Sequence, residues 1–479
     1  MDVIDKRTAA APAAREQRYD PRYDPLVDAT PGTGRAYAPS YWVATAGAPP
    51  DDDGAIDGDR EVDVAVIGSG ATGLSTALYL AREHGIAATV LEANQVSWGC
   101  SSRSGGQGQN ASGRLKRSQW IERWGLDTAR RLDAEIRAGF ENFKTLTKEI
   151  PCDAFDGGHL HVAHRPDRLI GLGREAALMR DVFGYDTRMM SAEELRSGWC
   201  DEREAAGAMF EREGVGIHPL KFTYGLMRSA RALGATVHPA SPVQGWRREG
   251  GLHLLQTPGG TVRARRVAVC TGGYTSQGLN PAVKNRLMPI LSNSLATRPL
   301  TAGELAATGF RSQTFLTDTR TLRFYYRLLP DNRLQIGSRS AVEGAHADAP
   351  VHLKLLTDAI ARKFPPLAGI EVDHSWWGWV DVSHDMMPRI AQPEPDQRVW
   401  YALGYGGNGV SFSTWAGKRL AQRIAGKDVG NDVFRLPIYD SPLEYPNVLG
   451  AVRSEAFAPF RRLGQHMLYK WYWLRDEKF

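Results

Sequence analysis

The chain has 479 residues, 42% of them hydrophobic and 24% charged, with a formal net charge of +5. That is the composition of a globular protein long enough for two or more domains, and a charge so small for the length permits acidic partners without requiring nucleic acid. No apolar run reaches the ~18 residues of a membrane span, the N-terminus "MDVIDKRTAAAPAAREQ" lacks the apolar core of a secretory signal, and Cys100, Cys152, Cys200 and Cys270 stand too far apart for a C-x-x-C pair, so a reducing cytoplasm and no metal site are expected.

Residues 1–60 are rich in Pro, Ala and Asp and read as an extended N-terminal arm, with "SYW" at 40–42 as the place where it first docks. Order begins at "VDVAVIG" (62–68), apolar and β-branched like a strand buried on both faces. "ATGLSTALYLAREHG" (71–85) has helical spacing and ends at Gly85, and "IAATVLEA" (86–93) is a second buried strand, which makes a βαβ unit. The segment 118–150 is helical, "SAEE" at 191–194 has the spacing of a capping box, and "PLKFTYGLMRSARALG" (219–234) is another helix. Further on come a hairpin turning at Pro258-Gly259-Gly260, two strands around an Asp-Asn turn within 321–340, and a strand, Gly-rich turn and helix over 399–426.

Three segments carry chemistry. Gly68-Ser69-Gly70-Ala71-Thr72-Gly73 is G-x-G-x-x-G between a buried strand and a helix, and Glu92 ends the next strand, the full context of a dinucleotide site. Gly68 permits the tight turn, Gly70 lets the backbone approach a pyrophosphate, and Gly73 lets helix and strand pack. The helix N-terminus favours phosphate, and Glu92 accepts ribose hydroxyls while repelling a 2′-phosphate. "VAVCTGGY" (267–274) and "YALGYGGNGVSFS" (401–413) are later glycine turns; a second helix N-terminus at the latter suits a flavin whose reduced ring is anionic.

Taken together, these residues, with "GCSSRSGGQ" (99–107), "GVGIHPLKFTYGL" (214–226), "FYYRLLPDNRLQIGSR" (324–339), "GWVDVSHDMMPRI" (378–390) and "GYGGNGV" (404–410), resemble the D-amino-acid oxidase-like (DAO) superfamily of FAD-dependent oxidoreductases, and within it the γ-glutamylputrescine oxidase-like branch. The resemblance implies a two-domain α/β (α+β) fold, a Rossmann-type FAD-binding domain interleaved with a mostly antiparallel β-sheet substrate domain. The expected segments are 61–115, 205–282 and 372–428 for FAD, 116–204 and 283–371 for substrate, and 429–479 as a C-terminal extension. It also implies the FAD contacts: Gly68, Ser69, Gly70, Ala71, Thr72, Gly73, Glu92 and Ala93; Ser101, Ser102, Arg103, Gly105, Gly106 and Gln107; Val243; Thr271, Gly272 and Gly273; and Gly406, Gly407, Asn408, Gly409 and Val410. Among these Arg103 pairs with phosphate and Gln107 reaches the isoalloxazine's polar edge.

The implied reaction removes hydride from the carbon beside an amine nitrogen, giving an imine that hydrolyses. Departures from the family narrow it. Gln335 stands where sarcosine-oxidase-like chains carry an oxygen-activating lysine, which leaves O2 or an unknown acceptor. Gly378 stands where those chains tether FAD through cysteine, so FAD is expected to be non-covalent. Leu328-Leu329 replaces the Pro-Arg pair that grips an α-carboxylate in glycine- and D-amino-acid-oxidase-like chains, which favours an amine, with Arg327 and Arg339 reading a remote acidic end. Only one of Tyr325 and Tyr326 can face the flavin, and either can orient the amine. His384 is the candidate for proton handling. Two other readings remain: a tRNA-base-modifying FAD oxidoreductase, for which no basic cluster dense enough is seen, and a non-catalytic flavin-binding subunit of a larger dehydrogenase. The aromatic and basic C-terminal segment 457–479 reads as an interfacial amphipathic helix or as a contact with the arm or a second subunit.

Overall fold

The computed structural model describes residues 23–31, 33–441 and 460–478. The strand Arg60–Ile67 lies at the heart of the first sheet. It pairs in parallel with Ala88–Leu91 on one side and Gly260–Val269 on the other, and Val399–Leu403 and Thr236–His238 extend the parallel run outward. Val64, Ala65 and Val66 are fully buried, which explains the absence of polar alternation: helices cover one face and a second apolar layer the other. The helix Ala71–His84 starts immediately after the glycine turn and stops where Gly85 adopts φ 65°, its N–H returning to Ala81 and Leu80 carbonyls. The hairpin predicted around Pro258-Gly259-Gly260 forms, Leu252–Thr257 running antiparallel to Gly260–Val269.

The second sheet has eight strands and roofs the first. All its pairings are antiparallel except Phe315–Asp318 beside His159–Ala163. The hairpin Tyr325–Leu328 and Arg333–Ser338 sits within it, its turn closed by Asn332 at φ 65°. The boundaries drawn at 205 and 372 fall early: Gly207–Glu211 and Val372–Val382 pair within this roof, because strand partners far apart in sequence leave no local signal of which sheet they join. The long helical stretch runs Arg117–Glu149 but breaks at Gly125, whose φ of 79° no helix accommodates.

The N-terminal arm is more than an extended tail. Residues 1–22 lie outside the described part, but Tyr23 and Trp42 are buried at 3% and 1% exposure. Trp42 donates its indole N–H to the Ser104 carbonyl at 2.7 Å, and Ser40 Oγ donates to the Ser102 carbonyl at 3.1 Å. The expected docking point therefore braces the loop 98–107 from behind. The C-terminal helix Arg461–Glu477 packs against the arm and the roof: Arg462 pairs with Asp24 at 2.6 Å and Asp476 accepts from Thr321 N at 2.5 Å. No helix among the described residues is long and apolar enough to cross a membrane.

One buried cluster ties the roof together. Lys363, with no exposed side-chain surface, pairs with Glu204 at 3.0 Å, Asp318 at 3.3 Å and Glu202 at 3.5 Å. Substituting Lys363→Met keeps the packing and leaves Asp318 and Glu204 to Arg320 but strands the buried Glu202, and urea denaturation is expected to show a loss of about 3 kcal/mol.

Candidate active site

A cavity runs between the two sheets, from the glycine turn after the first strand to the underside of the roof. At its floor Gly68 has φ +103°, and a Cβ there would lie 2.7 Å from the Cys270 carbonyl oxygen, so only glycine keeps the two strands' ends together. Gly70, Ala71 and Thr72 present the helix start to the cavity, where its free N–H groups and positive end lie. Ser101 Oγ accepts the N–H of Ala71 at 3.0 Å, which fixes the loop 98–107 against that helix. Glu92 lines the same end. Its carboxylate accepts from Ser69 N and Oγ at 3.0 and 2.7 Å and from Asn94 N at 3.1 Å, while burial pushes its pKa up.

Ala93, Val243, Thr271, Gly272, Gly273, Gly105, Gln107, Gly407, Asn408, Gly409 and Val410 line the middle. Ser69, Gly73, Ser102, Gly106 and Gly406 stand just behind the wall and shape it. Ser102 Oγ donates to the Trp98 carbonyl at 3.1 Å, and a Cβ on Gly106 would lie 2.3 Å from the Ile217 carbonyl oxygen. Arg103 borders the cavity, yet its guanidinium lies over the Trp98 ring at 4.4 Å and the Tyr274 ring at 5.2 Å and donates to the Trp98 carbonyl at 3.1 Å. Cation–π contact and backbone carbonyls hold the charge at the cavity wall.

Strand register decides the roof. Tyr325, Arg327, Gln335 and Gly337 share the face above the loop, and Tyr326, Leu328, Leu334 and Ile336 share the other. Tyr325 lines the cavity, its hydroxyl within 2.8 Å of both Ser292 Oγ and Ser294 Oγ, and burial keeps it protonated. A side chain at Gly337 would start 2.3 Å from that hydroxyl. Tyr326 is fully buried in the opposite core against Phe364, so it cannot bind substrate. Arg327 lies behind the loop, donating to the Ile217 carbonyl at 2.6 Å, and borders no part of the cavity. His384 also falls outside: it sits in the turn after Val372–Val382 beside Asp385, Arg389 and Arg123, where burial lowers its pKa. The His-Asp-Met-Met-Pro turn does reach the site region, but through backbone, Met386 O accepting from Arg114 N.

Arg339 borders the cavity as expected, and two arginines not singled out by sequence join it, Arg114 and Arg323. Neither belongs to a motif; only the spatial meeting of three loops brings them together. His159, His161 and Glu211 form a separate group on the roof whose ligating atoms lie within 4.8 Å of one another, with His161 bonded to Glu211 at 3.0 Å and His159 to Thr317 at 2.7 Å.

Comparison with known proteins settles the lineage. The family described as FAD dependent oxidoreductase (DAO) matches residues 63–423. The chain belongs to this family. It is 31% identical to γ-glutamylputrescine oxidoreductase of Escherichia coli (strain K12) over 412 residues, 84% of this chain and 93% of that protein. It is 22% identical to glycine oxidase of Bacillus subtilis (strain 168) over 384 residues, 78% of this chain and 95% of that one. Among solved structures, glycine oxidase from Geobacillus kaustophilus superposes with a TM-score of 0.64 at 20% identity, covering 79% of this chain and 98% of its own. The fold is therefore that of DAO flavoenzymes, and the protein is an FAD-dependent oxidoreductase.

The residues present fit FAD. The helix start bears no side chain that would block a pyrophosphate, and Glu92 stands at the end of the second strand. Gln107 Nε2 and both amide atoms of Gln335 are buried without a hydrogen-bond partner. Such orphans are costly, and a polar ring edge between loop and roof would satisfy them. Cys100 borders the cavity, but burial pushes its thiol up to about 12, so it stays protonated and a poor nucleophile.

Proposed function

We propose that the protein oxidises the C–N bond of a primary or secondary amine. FAD held by the glycine turn and the loop 98–107 would supply the hydride acceptor for the carbon beside the nitrogen, and the imine left would hydrolyse to a carbonyl compound and ammonia or a smaller amine. The observation that carries the reading is Tyr325: a neutral hydroxyl, oriented by Ser292 and Ser294, on the roof directly opposite Gly105. It is a hydrogen-bond partner suited to a neutral amine. Similarity to a γ-glutamylputrescine oxidoreductase supports an amine over an α-amino acid, as does Leu328-Leu329 in place of a carboxylate-gripping Pro-Arg pair.

The test mixes purified holoenzyme with a panel of amines and amino acids without oxygen and follows the oxidised flavin's visible absorbance. Amines are expected to bleach it, and Tyr325→Phe to raise the half-saturating amine concentration about tenfold. Bleaching by no amine, together with salt-dependent retention of tRNA, would move the reading to base modification; bleaching by nothing and no tRNA retention would leave a flavin-binding subunit.

A further inference from the structure

The roof end of the cavity holds an unbalanced charge. Arg114, Arg323 and Arg339 all border it, and none pairs with a carboxylate among the described residues. Arg114 donates to the Thr321 carbonyl at 3.3 Å and Arg339 to the Gly406 carbonyl at 3.2 Å, while the Nε atoms of Arg323 and Arg339 are buried without a partner. Burial lowers the pKa of each; the charges of Arg339 and Arg323 lower Arg114 further, and that of Arg339 lowers Arg323, which falls to about 10 although Asp318 pulls it up. Two other buried arginines are paired with acids, while Arg327, also buried, is held by the Ile217 carbonyl. Arg320 pairs with Asp318 at 2.6 Å, and Arg419 with Glu135 at 2.6 Å. Three partly buried guanidinium groups with no acid in an ion pair to any of them destabilise a fold, Asp318 acting on Arg323 only from a distance, and a ligand that brings anions to them removes the cost.

The carboxylates bordering the cavity are already engaged. The cavity's carboxylates are Glu92, held by Ser69 and Asn94, and Asp381, which accepts from the Gly404 N–H. Above the arginines lies the C-terminal helix, beyond the part of the chain that matches the family. Tyr469 and Tyr472 come near Arg114, and Tyr469 near Arg339 as well. The arginine cluster is thus roofed by a segment the family match does not include.

We infer that Arg114, Arg323 and Arg339 form a subsite for the far end of the substrate, and that this end carries two or more oxyanionic groups and no ammonium. The inference rests on the amine reading for the near end. It also separates this chain's substrate class from a γ-glutamyl amine, whose far end carries a carboxylate and an ammonium together.

Calorimetric titration of the oxidised holoenzyme tests it without turnover, using butyrate, glutarate, L-glutamate and inorganic phosphate. Glutarate is expected to bind about tenfold or more tightly than butyrate, and tighter by a similar factor than L-glutamate, which differs from it by one ammonium. Arg114→Gln and Arg323→Gln should each weaken glutarate about tenfold while leaving the anion-free melting temperature equal or higher, since each removes an unpaired charge. Phosphate binding tighter than glutarate and lost in the same variants would make the far end a phosphate, still within the inference. L-glutamate matching glutarate, or variants that bind glutarate as the parent does, would overturn it. A variant that melts lower and binds less would make the arginines structural, and would overturn it too. Failure of every amine to bleach the flavin would sink the amine reading and leave these binding results standing.

Discussion

Gly73→Ala is expected to yield a protein that leaves gel filtration colourless. A Cβ at Gly73 would lie 1.9 Å from the Gly68 carbonyl oxygen and 3.2 Å from Val66 Cγ1. The nearest obstacle is backbone, so no side-chain rotation relieves it. The helix Ala71–His84 must move off the strand Arg60–Ile67, and with it the N–H groups that face the cavity at Gly70–Thr72. Overpacking of this kind costs about 1–3 kcal/mol; because the obstacle is backbone the upper end applies, a loss of about 100-fold in FAD affinity. Gly85→Ala is the control. Gly85 also has positive φ, 65°, but nothing lies within 4 Å of its Cβ position. It should cost about 1 kcal/mol of stability and leave the flavin content unchanged. Full flavin in Gly73→Ala would show that the glycine turn does not cradle the cofactor.

The floor of the site was legible because it is local. A strand, a turn, a helix and an acid within about thirty residues leave their requirements on consecutive positions, and Gly68, Gly73 and Glu92 sit where those requirements put them. The roof was legible only in part. Period two showed that Tyr325 and Tyr326 face opposite ways, but which faces the cavity depends on register with Arg333–Ser338 and on the core that Phe364 and Lys363 build beneath. A lone charge in a glycine and serine loop invites a phosphate, but the loop alone does not show what holds Arg103. Trp98 and Tyr274, the latter far away in sequence, make the box that takes it. His384 stands near a motif in sequence, yet its turn lies outside the cavity lining and meets Arg114 only through the Met386 carbonyl. Arg114 and Arg323 were invisible for the opposite reason: neither has a telling neighbour, and their meaning comes from the acids missing around them.

Gln335→Lys is expected to speed reaction of the reduced enzyme with oxygen. In the unaltered protein Gln335 is fully buried on the strand Arg333–Ser338, its amide atoms unpartnered, its Nε2 3.7 Å from where a side chain on Gly105 would begin. It therefore faces the loop that borders the flavin's place from the roof side. Transfer of an electron to oxygen builds negative charge, and a fixed cation there lowers the barrier; a neutral amide does much less. The neighbouring cation is Arg327, paired with Gln335 in register, but its guanidinium is engaged by the Ile217 carbonyl behind the loop. The parent enzyme should then reduce a dye acceptor readily and oxygen slowly. A lysine at 335 pays for burial and for the nearness of Arg327, both of which lower its pKa, yet any charged fraction sits where oxygen must pass. Stopped-flow reoxidation should rise about 10–100-fold, with amine reduction of the flavin altered far less if, as proposed, the amine meets Tyr325 and not position 335. Equal reoxidation rates in parent and variant would mean that oxygen approaches from another side, and the choice between oxidase and dehydrogenase would then rest on residues other than Gln335.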